Sequence, residues 1–362
     1  MEKKRIVVKI GSSSLTNNQG EIDQRKFSDH IQAVAALRSA GHEVVLVSSG
    51  AVATGFRKLG YPTRPVTLKG KQAAAAVGQS LLIQSYMEQL GQFGIIPAQI
   101  LLTRNDFSNK DRYKNAYATL MELLERGILP IINENDTVSI AELTFGDNDM
   151  LSALVSGLVH ANQLIILTDI NGLYDSNPQT NPMATRFSHL SEITENLLQM
   201  AEGAGSSVGT GGMKSKLIAA QTALSLGVKV FIGAGEGRDK LLTILEGSGD
   251  GTYIGNEVLT TVTKNKQWIS LHSKVSGEIY VDEGAERALV SNGSSLLPAG
   301  IYDIKGNFHK GDVVEVYGAS GILGRGEVLY SSSELKQAMG KRTTELVFSS
   351  IEVIHRDKWV KA

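Results

Sequence analysis

The 362-residue chain has no cysteine. That excludes disulfides, thiolate metal sites and cysteine nucleophiles, and it suits a reducing compartment. A surplus of one charge is also missing: 36 Lys+Arg stand against 37 Asp+Glu, a formal net charge of -1. Nothing in that balance demands nucleic acid or an anionic membrane. Long apolar runs are absent too, and none approaches the roughly 20 residues of a membrane span. The opening MEKKRIVVKIG is basic, but Lys9 interrupts its apolar run too early for a signal-peptide core. The 7 histidines are scattered, with no pair at metal-ligand spacing, so surface or packing roles are expected of them. Proline is scarce at 7 residues while glycine reaches 38, clustered between periodic segments, which favours many tight strand-to-helix turns. There is no internal repeat or low-complexity tract.

What is present is an ordinary globular composition, 42% hydrophobic and 20% charged, with length enough for two domains. Apolar runs of strand length at residues 5–10, 43–47, 95–102, 128–132, 163–167 and 228–232 alternate with helix-period segments. Those fall at 23–40, 67–90, 111–126, 148–160, 213–226 and 238–245. Such alternation predicts a mainly parallel sheet covered on both faces, a three-layer αβα sandwich. In such sheets ligands sit beyond the carboxyl ends of the strands. After about Gly255 the pattern changes to short runs at 278–281, 313–316, 327–329 and 345–348, separated by glycine-bearing turns, as in VSNGSSLLPAGI and YGASGILGRGE. That predicts a small, mostly β domain. The expected boundaries are 1–258 for the first domain, 259–274 for a linker and 275–353 for the second.

The polar clusters fall at strand ends. VVKIGSSSL puts Lys9 before Gly11 and three serines. A strand followed by a Gly/Ser turn can offer backbone N–H groups to phosphate, although a solvated lysine at a strand end would look the same. It is not a Walker A loop, since no GxxxxGK[ST] exists. LVSSGAV repeats the arrangement, and its Ser48 or Ser49 could simply cap a helix. GTGGMKSK opens a helix with Lys214 and Lys216 in the first turn. Cations there oppose the helix dipole by about 0.3–1 kcal/mol each, a penalty that bound polyphosphate reverses; the bland alternative is a loop with two solvated lysines. LIILTDINGLY ends a strand in Thr168 and Asp169 before an Asn171–Gly172 turn. INENDTVSIAELTFGDND gathers Asn133, Glu134, Asn135, Asp136, Glu142, Asp147, Asn148 and Asp149 after an apolar strand. Turns and caps, a metal cage, or a pocket for a small polar ligand would each use such a set; a helix cap suits Asp147. GSSVG at 205–209 matches a nucleophile elbow but follows a helix-period segment at 191–202 where a strand is required, so a hydrolase is rejected.

Taken in order, VVKIGSS, VSSGAV, INENDTV, FGDNDMLSALV, LTDINGLY and GTGGMKSK resemble the amino-acid kinase family, and no motif position departs from its pattern. INEND…GDND with GTGGMKSK resembles the branch that phosphorylates the side-chain carboxylate of L-glutamate. SGEIYVDEGAERALVSNGSSLLPAGI…GNFHKGDVVEV resembles a PUA domain. The resemblance implies ATP as phosphoryl donor, with Mg²⁺ carried by the nucleotide; a Mg²⁺ caged by GDND is the lesser alternative, since Mg²⁺ usually keeps its waters and the phosphates as ligands. It implies Lys9 and Lys216 on the transferring phosphoryl group, with Asp149 orienting both ammonium groups. Ser49, Asp136 and Asn148 would take the amino acid. Lys9, Thr168, Asp169 and the run Thr210, Gly211, Gly212, Met213, Lys214, Ser215 and Lys216 would take ATP.

The resemblance further implies a cytoplasmic homo-oligomer (dimer or tetramer), feedback inhibition by L-proline and hand-over of product to glutamyl phosphate reductase. Aspartate, N-acetylglutamate, carbamate or a nucleotide as acceptor are the family alternatives. PUA domains commonly bind RNA, but residues 272–362 hold 11 Lys+Arg against 12 Asp+Glu and lack the basic stripe that phosphate-backbone binding needs.

Overall fold

The computed structural model describes residues 2–17, 21–139, 148–176, 178, 180–203, 212–256, 268–269, 273, 275–319, 321–341 and 352–361. The chain divides into two compact units, Met1–Asp106 with Lys114–Thr261, and Phe107–Tyr113 with Val262–Ala362.

The strands of the first unit are β1 (Arg5–Ile10), β2 (Glu43–Ser48), β3 (Pro97–Leu102), β4 (Leu129–Glu134), β5 (Gln163–Leu167), β6 (Leu173–Tyr174), β7 (Arg186–Phe187), β8 (His189–Leu190), β9 (Lys229–Gly233) and β10 (Gly251–Ile254). Eight of them form one sheet in the order β3-β4-β2-β1-β5-β9-β10-β8. All neighbours from β3 to β9 are parallel; β10 runs antiparallel to β9, and the edge strand β8 runs parallel to β10. The mainly parallel sheet expected from the alternation is therefore present. The short β6, β7, β8 and β10 carry too few residues for a periodicity to announce them. β1 lies centrally, with β2 on one side and β5 on the other, so the strand order reverses there and opens a crevice beyond its carboxyl end.

The helices, in chain order, are α1 (Gln24–Ser39), α2 (Ala51–Gly55), α3 (Leu68–Gly91), α4 (Arg104–Ser108), α5 (Lys110–Glu125), α6 (Asn148–Leu158), α7 (Glu195–Gly203), α8 (Met213–Ser225) and α9 (Lys240–Leu245). α1 starts where Asp23 caps it, accepting from Arg25 N at 3.1 Å and Lys26 N at 3.2 Å. Its apolar stripe Phe27, Ile31, Val34 and Leu37 meets Ile6, Val8 and Ile10 of β1, together with Leu82 and Tyr86 of α3 and Leu241 and Ile244 of α9. Each such side chain, fully buried, contributes about 1.5–3 kcal/mol. Side chains alternate along a strand, so Val7 and Lys9 point to the opposite face. There α6 packs across β1 and β5, with α8 against it. Cover on both faces explains why the strands read as continuous apolar runs.

α2 and α3 cross at backbone distance. A Cβ built on Gly78 would lie 1.8 Å from the Ala51 carbonyl oxygen, and one on Gly55 would lie 2.0 Å from that of Ala74. This contact fixes α2, whose first turn follows Ser48, Ser49 and Gly50. Gly50 has φ 105°, a left-handed conformation that side-chain-bearing residues resist.

The second unit is a five-stranded sheet of β11 (Val275–Val281), β12 (Ile301–Gly306), β13 (Val313–Gly318), β14 (Gly321–Val328) and β15 (Ile354–Lys361), ordered β12-β11-β13-β14-β15. It encloses its own core, with Ile279, Val314, Val316, Val328, Tyr330 and Ile354 among the buried residues. β12 and β15 escape sequence reading. The buried residues of β12 are Ile301 and Ile304, out of period 2, because the register shifts opposite Tyr280/Val281. The expected run at 345–348 lies outside the described residues.

Gly78→Ala should lower stability by about 1–3 kcal/mol through overpacking, although alanine is the better helix former by about 1 kcal/mol. Gly91→Ala, which meets nothing within 4 Å, should be neutral or mildly stabilising. Thermal unfolding of both variants checks the pair; equal melting curves would remove the crossing from the account.

Candidate active site

Three element ends converge on one carboxylate. Lys9 stands near the end of β1, Asp149 in the first turn of α6 and Lys216 in the first turn of α8. The Lys9 ammonium pairs with Asp149 Oδ1, and Lys216 Nζ donates to Asp149 Oδ2 at 3.1 Å. The Asp149 side chain is 0% exposed, Lys9 6% and Lys216 12%. Burial alone would raise the Asp149 carboxyl; the two ammonium groups outweigh it and hold the group below the usual carboxylate range. Two positive charges share one negative, so the group keeps a net positive charge beside the β1 crevice. That is what a polyphosphate needs.

Beside it lies a chain of amides. Asn148 Nδ2 donates to Ser48 O at 2.5 Å and to Asn133 Oδ1 at 2.7 Å. Asn133 Oδ1 also accepts from Glu134 N at 2.9 Å, and Asn133 Nδ2 donates to Gln79 Oε1 at 2.7 Å. Ser48 Oγ meets Tyr86 Oη at 2.9 Å beneath them. Ser49 is half-buried at the start of α2, and its N–H donates to Ile10 O at 3.2 Å. Asp136 lies half-buried in the turn after β4. Burial, then the nearby Glu134 carboxylate, pushes its carboxyl up to about 6, partly offset by Arg64. Among the described residues, neither Asp136 nor the Ser49 side chain bonds to the Lys9–Asp149–Lys216 group.

On the other side of β1, Thr168 N donates to Gly233 O at 3.0 Å, and Thr168 Oγ1 donates to the exposed Asp169 at 3.0 Å. Gly212 precedes α8 without a side-chain cap, Ser215 Oγ bonds back to Gly212 O at 2.8 Å, Met213 is half-buried and Lys214 is exposed. Thr210 and Gly211 lie outside the described residues, as do Glu142, Asp147 and the elbow-like 205–209. The segment before that elbow is the helix α7, as its rejection requires. The Asn171–Gly172 turn is present, with Gly172 at φ 126° and Tyr174 Oη donating to Asn171 Oδ1 at 2.6 Å.

Sequence reasoning missed a clamp on the loop after β9. Asp29 of α1 accepts from Gly237 N at 2.7 Å and pairs with the buried Lys240. Nothing in an Asp and a Lys some 200 positions apart could have signalled it. Among the described residues, no group of three or more His, Cys, Asp or Glu could hold a metal ion. No helix among them is long and apolar enough to cross a membrane.

Residues 4–234 match the amino acid kinase family. The chain belongs to that family. Residues 277–348 match the PUA domain. Within the amino acid kinase family, the chain is 66% identical to glutamate 5-kinase 1 of Bacillus licheniformis over 361 residues, 99% of each chain. It is 65% identical to glutamate 5-kinase 1 of Bacillus subtilis, again over 99% of each. Among solved structures, the UMP kinase of Bacillus anthracis aligns with a TM-score of 0.49 at 13% identity, over 72% of this chain and 99% of that one.

Asp149→Ala would take away the carboxylate that both ammonium groups share, Lys9 in a buried setting. The expected cost is about 3–5 kcal/mol in urea unfolding at neutral pH. A depressed carboxyl contributes stability above its unfolded pKa of about 3.9 and loses it as pH falls through the folded value. The gap between wild type and variant should therefore narrow in acid. A gap under about 1 kcal/mol at neutral pH, or one that widens in acid, would contradict the charge account.

Proposed function

We propose that the chain transfers the terminal phosphoryl group of ATP to the side-chain carboxylate of L-glutamate. The products are L-glutamyl 5-phosphate and ADP, and the step opens proline biosynthesis. The observation that carries the reading is the Lys9–Asp149–Lys216 arrangement in a chain 65–66% identical, end to end, to glutamate 5-kinases.

The chemistry suits these residues. The nucleophile is a carboxylate of pKa about 4.3, ionised at neutral pH, so no general base is needed. A carboxylate oxygen forms the new bond to the terminal phosphorus while the bond to the bridging oxygen of ADP breaks, and no proton moves. The obstacle is bringing one anion onto another and holding both in line. Lys9 and Lys216 set fixed positive charge where the transferring group gathers negative charge. Asp149 aims both ammonium groups and takes no proton. Thr168, Asp169 and residues 210–216 hold the nucleotide, with the start of α8 offering backbone N–H groups. Asp136, Asn148 and Ser49 hold the amino acid. Mg²⁺ enters with the phosphates that ligate it and, when bound, neutralises part of their charge.

The same reading makes the protein a cytoplasmic homo-oligomer inhibited by L-proline, which passes its labile acyl phosphate to glutamyl phosphate reductase. It assigns residues 1–258 to the kinase domain and 275–353 to the PUA domain.

Hydroxylamine trapping tests the reaction. With Mg-ATP, hydroxamate should form from L-glutamate and not from L-aspartate or N-acetyl-L-glutamate. Lys216→Ala should lower the rate by about 100-fold or more, as expected for lost transition-state charge. Hydroxamate from another acid alone would move the substrate, and none from any acid would end the carboxylate-kinase reading. Asp136 adds a pH signature. An ammonium needs it ionised, so KM for glutamate should rise as pH falls through about 6, without a matching rise for ATP. Asp136→Asn should have a high KM for glutamate and no such inflection.

A further inference from the structure

The amide chain beside the site has a fixed polarity. Ser48 O is a backbone carbonyl and can only accept, so Asn148 must turn its NH₂ toward it. Glu134 N is a backbone N–H and can only donate, so Asn133 must present its oxygen. Those two constraints agree at the Asn148–Asn133 contact of 2.7 Å, where NH₂ meets oxygen. They also fix the far end: the Asn133 NH₂ is left facing Gln79, which must answer with Oε1, as it does at 2.7 Å. The orientations are therefore set by the backbone and need no choice of amide flip.

Two consequences follow. Both N–H bonds of Asn148 are consumed by protein, and its Oδ1 is the polar atom without a hydrogen bond among the described residues. A group that can only accept does not suit a carboxylate; it suits an ammonium. The second concerns Gln79, which sits on α3 and, among the described residues, hydrogen-bonds to neither Asn148 nor the Lys9–Asp149–Lys216 group. It supplies the acceptor that keeps Asn133, only 2% exposed, from turning over. A buried amide NH₂ left without an acceptor would gain by flipping or shifting, and Asn148 would lose its partner.

We propose that Gln79 is a positioning residue for the amino-acid pocket: through Asn133 it holds Asn148 with Oδ1 presented to the substrate, where it accepts from the α-ammonium group. The proposal rests on the glutamate reading above and deepens it. Asn148 and Asp136 then both serve the ammonium end, and the α-carboxylate falls to donors elsewhere.

Gln79 also lines a surface cavity of about 440 Å³ with Ile83, Gln99, Leu101 and Thr137, so a changed side chain at 79 has room to settle. Steady-state kinetics on the full chain tests the idea with two variants. Gln79→Met keeps the length and removes the acceptor; Gln79→Glu keeps an acceptor oxygen. Gln79→Met should raise KM for L-glutamate about fivefold, the size of one lost hydrogen bond, and leave KM for ATP and the melting temperature near wild type. Gln79→Glu should restore KM for glutamate to near the wild-type value. Should Gln79→Met fail to fold, Gln79→Lys, which sets a donor against a donor, gives the same reading. The proposal is overturned if the acceptor-free variant matches wild type, if Gln79→Glu is as impaired as Gln79→Met, or if KM for ATP rises equally. A wild type with no glutamate-dependent turnover would instead bring down the glutamate reading, and is seen separately in the control.

Discussion

The site depends on one buried carboxylate held between two ammonium groups. Burial works against the ionised form of Asp149, and an unpaired ammonium at Lys9 would be costly in its buried setting. Each makes the other tolerable, and the pairing constrains three pieces of backbone at once: the end of β1, the start of α6 and the start of α8. These are the places where a parallel sheet opens its crevice. The net positive charge left over is therefore aimed as well as present. A pair of flexible surface lysines would have to be ordered anew at each encounter with phosphate.

Rigidity elsewhere serves the same end. The backbone-to-backbone crossing of Gly55 and Gly78 fixes α2 against α3, and so fixes the turn that carries Ser48, Ser49 and Gly50. α3 also carries Tyr86 under Ser48 and Gln79 beside Asn133. One long helix thus meets α2, Ser48 and the amide chain at three points without contributing a side chain to the Lys9–Asp149–Lys216 group. In the amide chain, backbone groups decide which way each side chain faces, so its polarity is a property of the fold.

The two halves of the site differ in charge logic. The Lys9–Asp149–Lys216 side is a largely buried ionic cluster with one carboxylate for two ammonium groups. The side that holds the amide chain collects acceptors: Asp136, its neighbour Glu134 and the Asn148 oxygen. Burial, and then the neighbouring Glu134 carboxylate, raise the carboxyl of Asp136 to about 6, a cost that a bound ammonium would relieve. Such an arrangement ties affinity for a free amine to pH.

Much of this was legible in the residues. Continuous apolar runs between helix-period segments determined a covered parallel sheet, because burial on both faces leaves no polar alternation. Lys9 before Gly11, and the lysines opening α8, marked positive charge at strand and helix ends, where chain order alone predicts a crevice. The elements too short or too irregular for a period, β6 to β8, β10, β12 and β15, were not legible, since their pairing is decided by neighbours. Nor were the contacts that join distant positions. Only the tertiary structure decided that Asp149 would take both lysines, that Asp29 would hold the loop at Gly237, and that Gln79 would meet Asn133 at the end of the amide chain. A sequence states which groups are available; which donor faces which acceptor is settled only when packing removes water and leaves each buried group one partner.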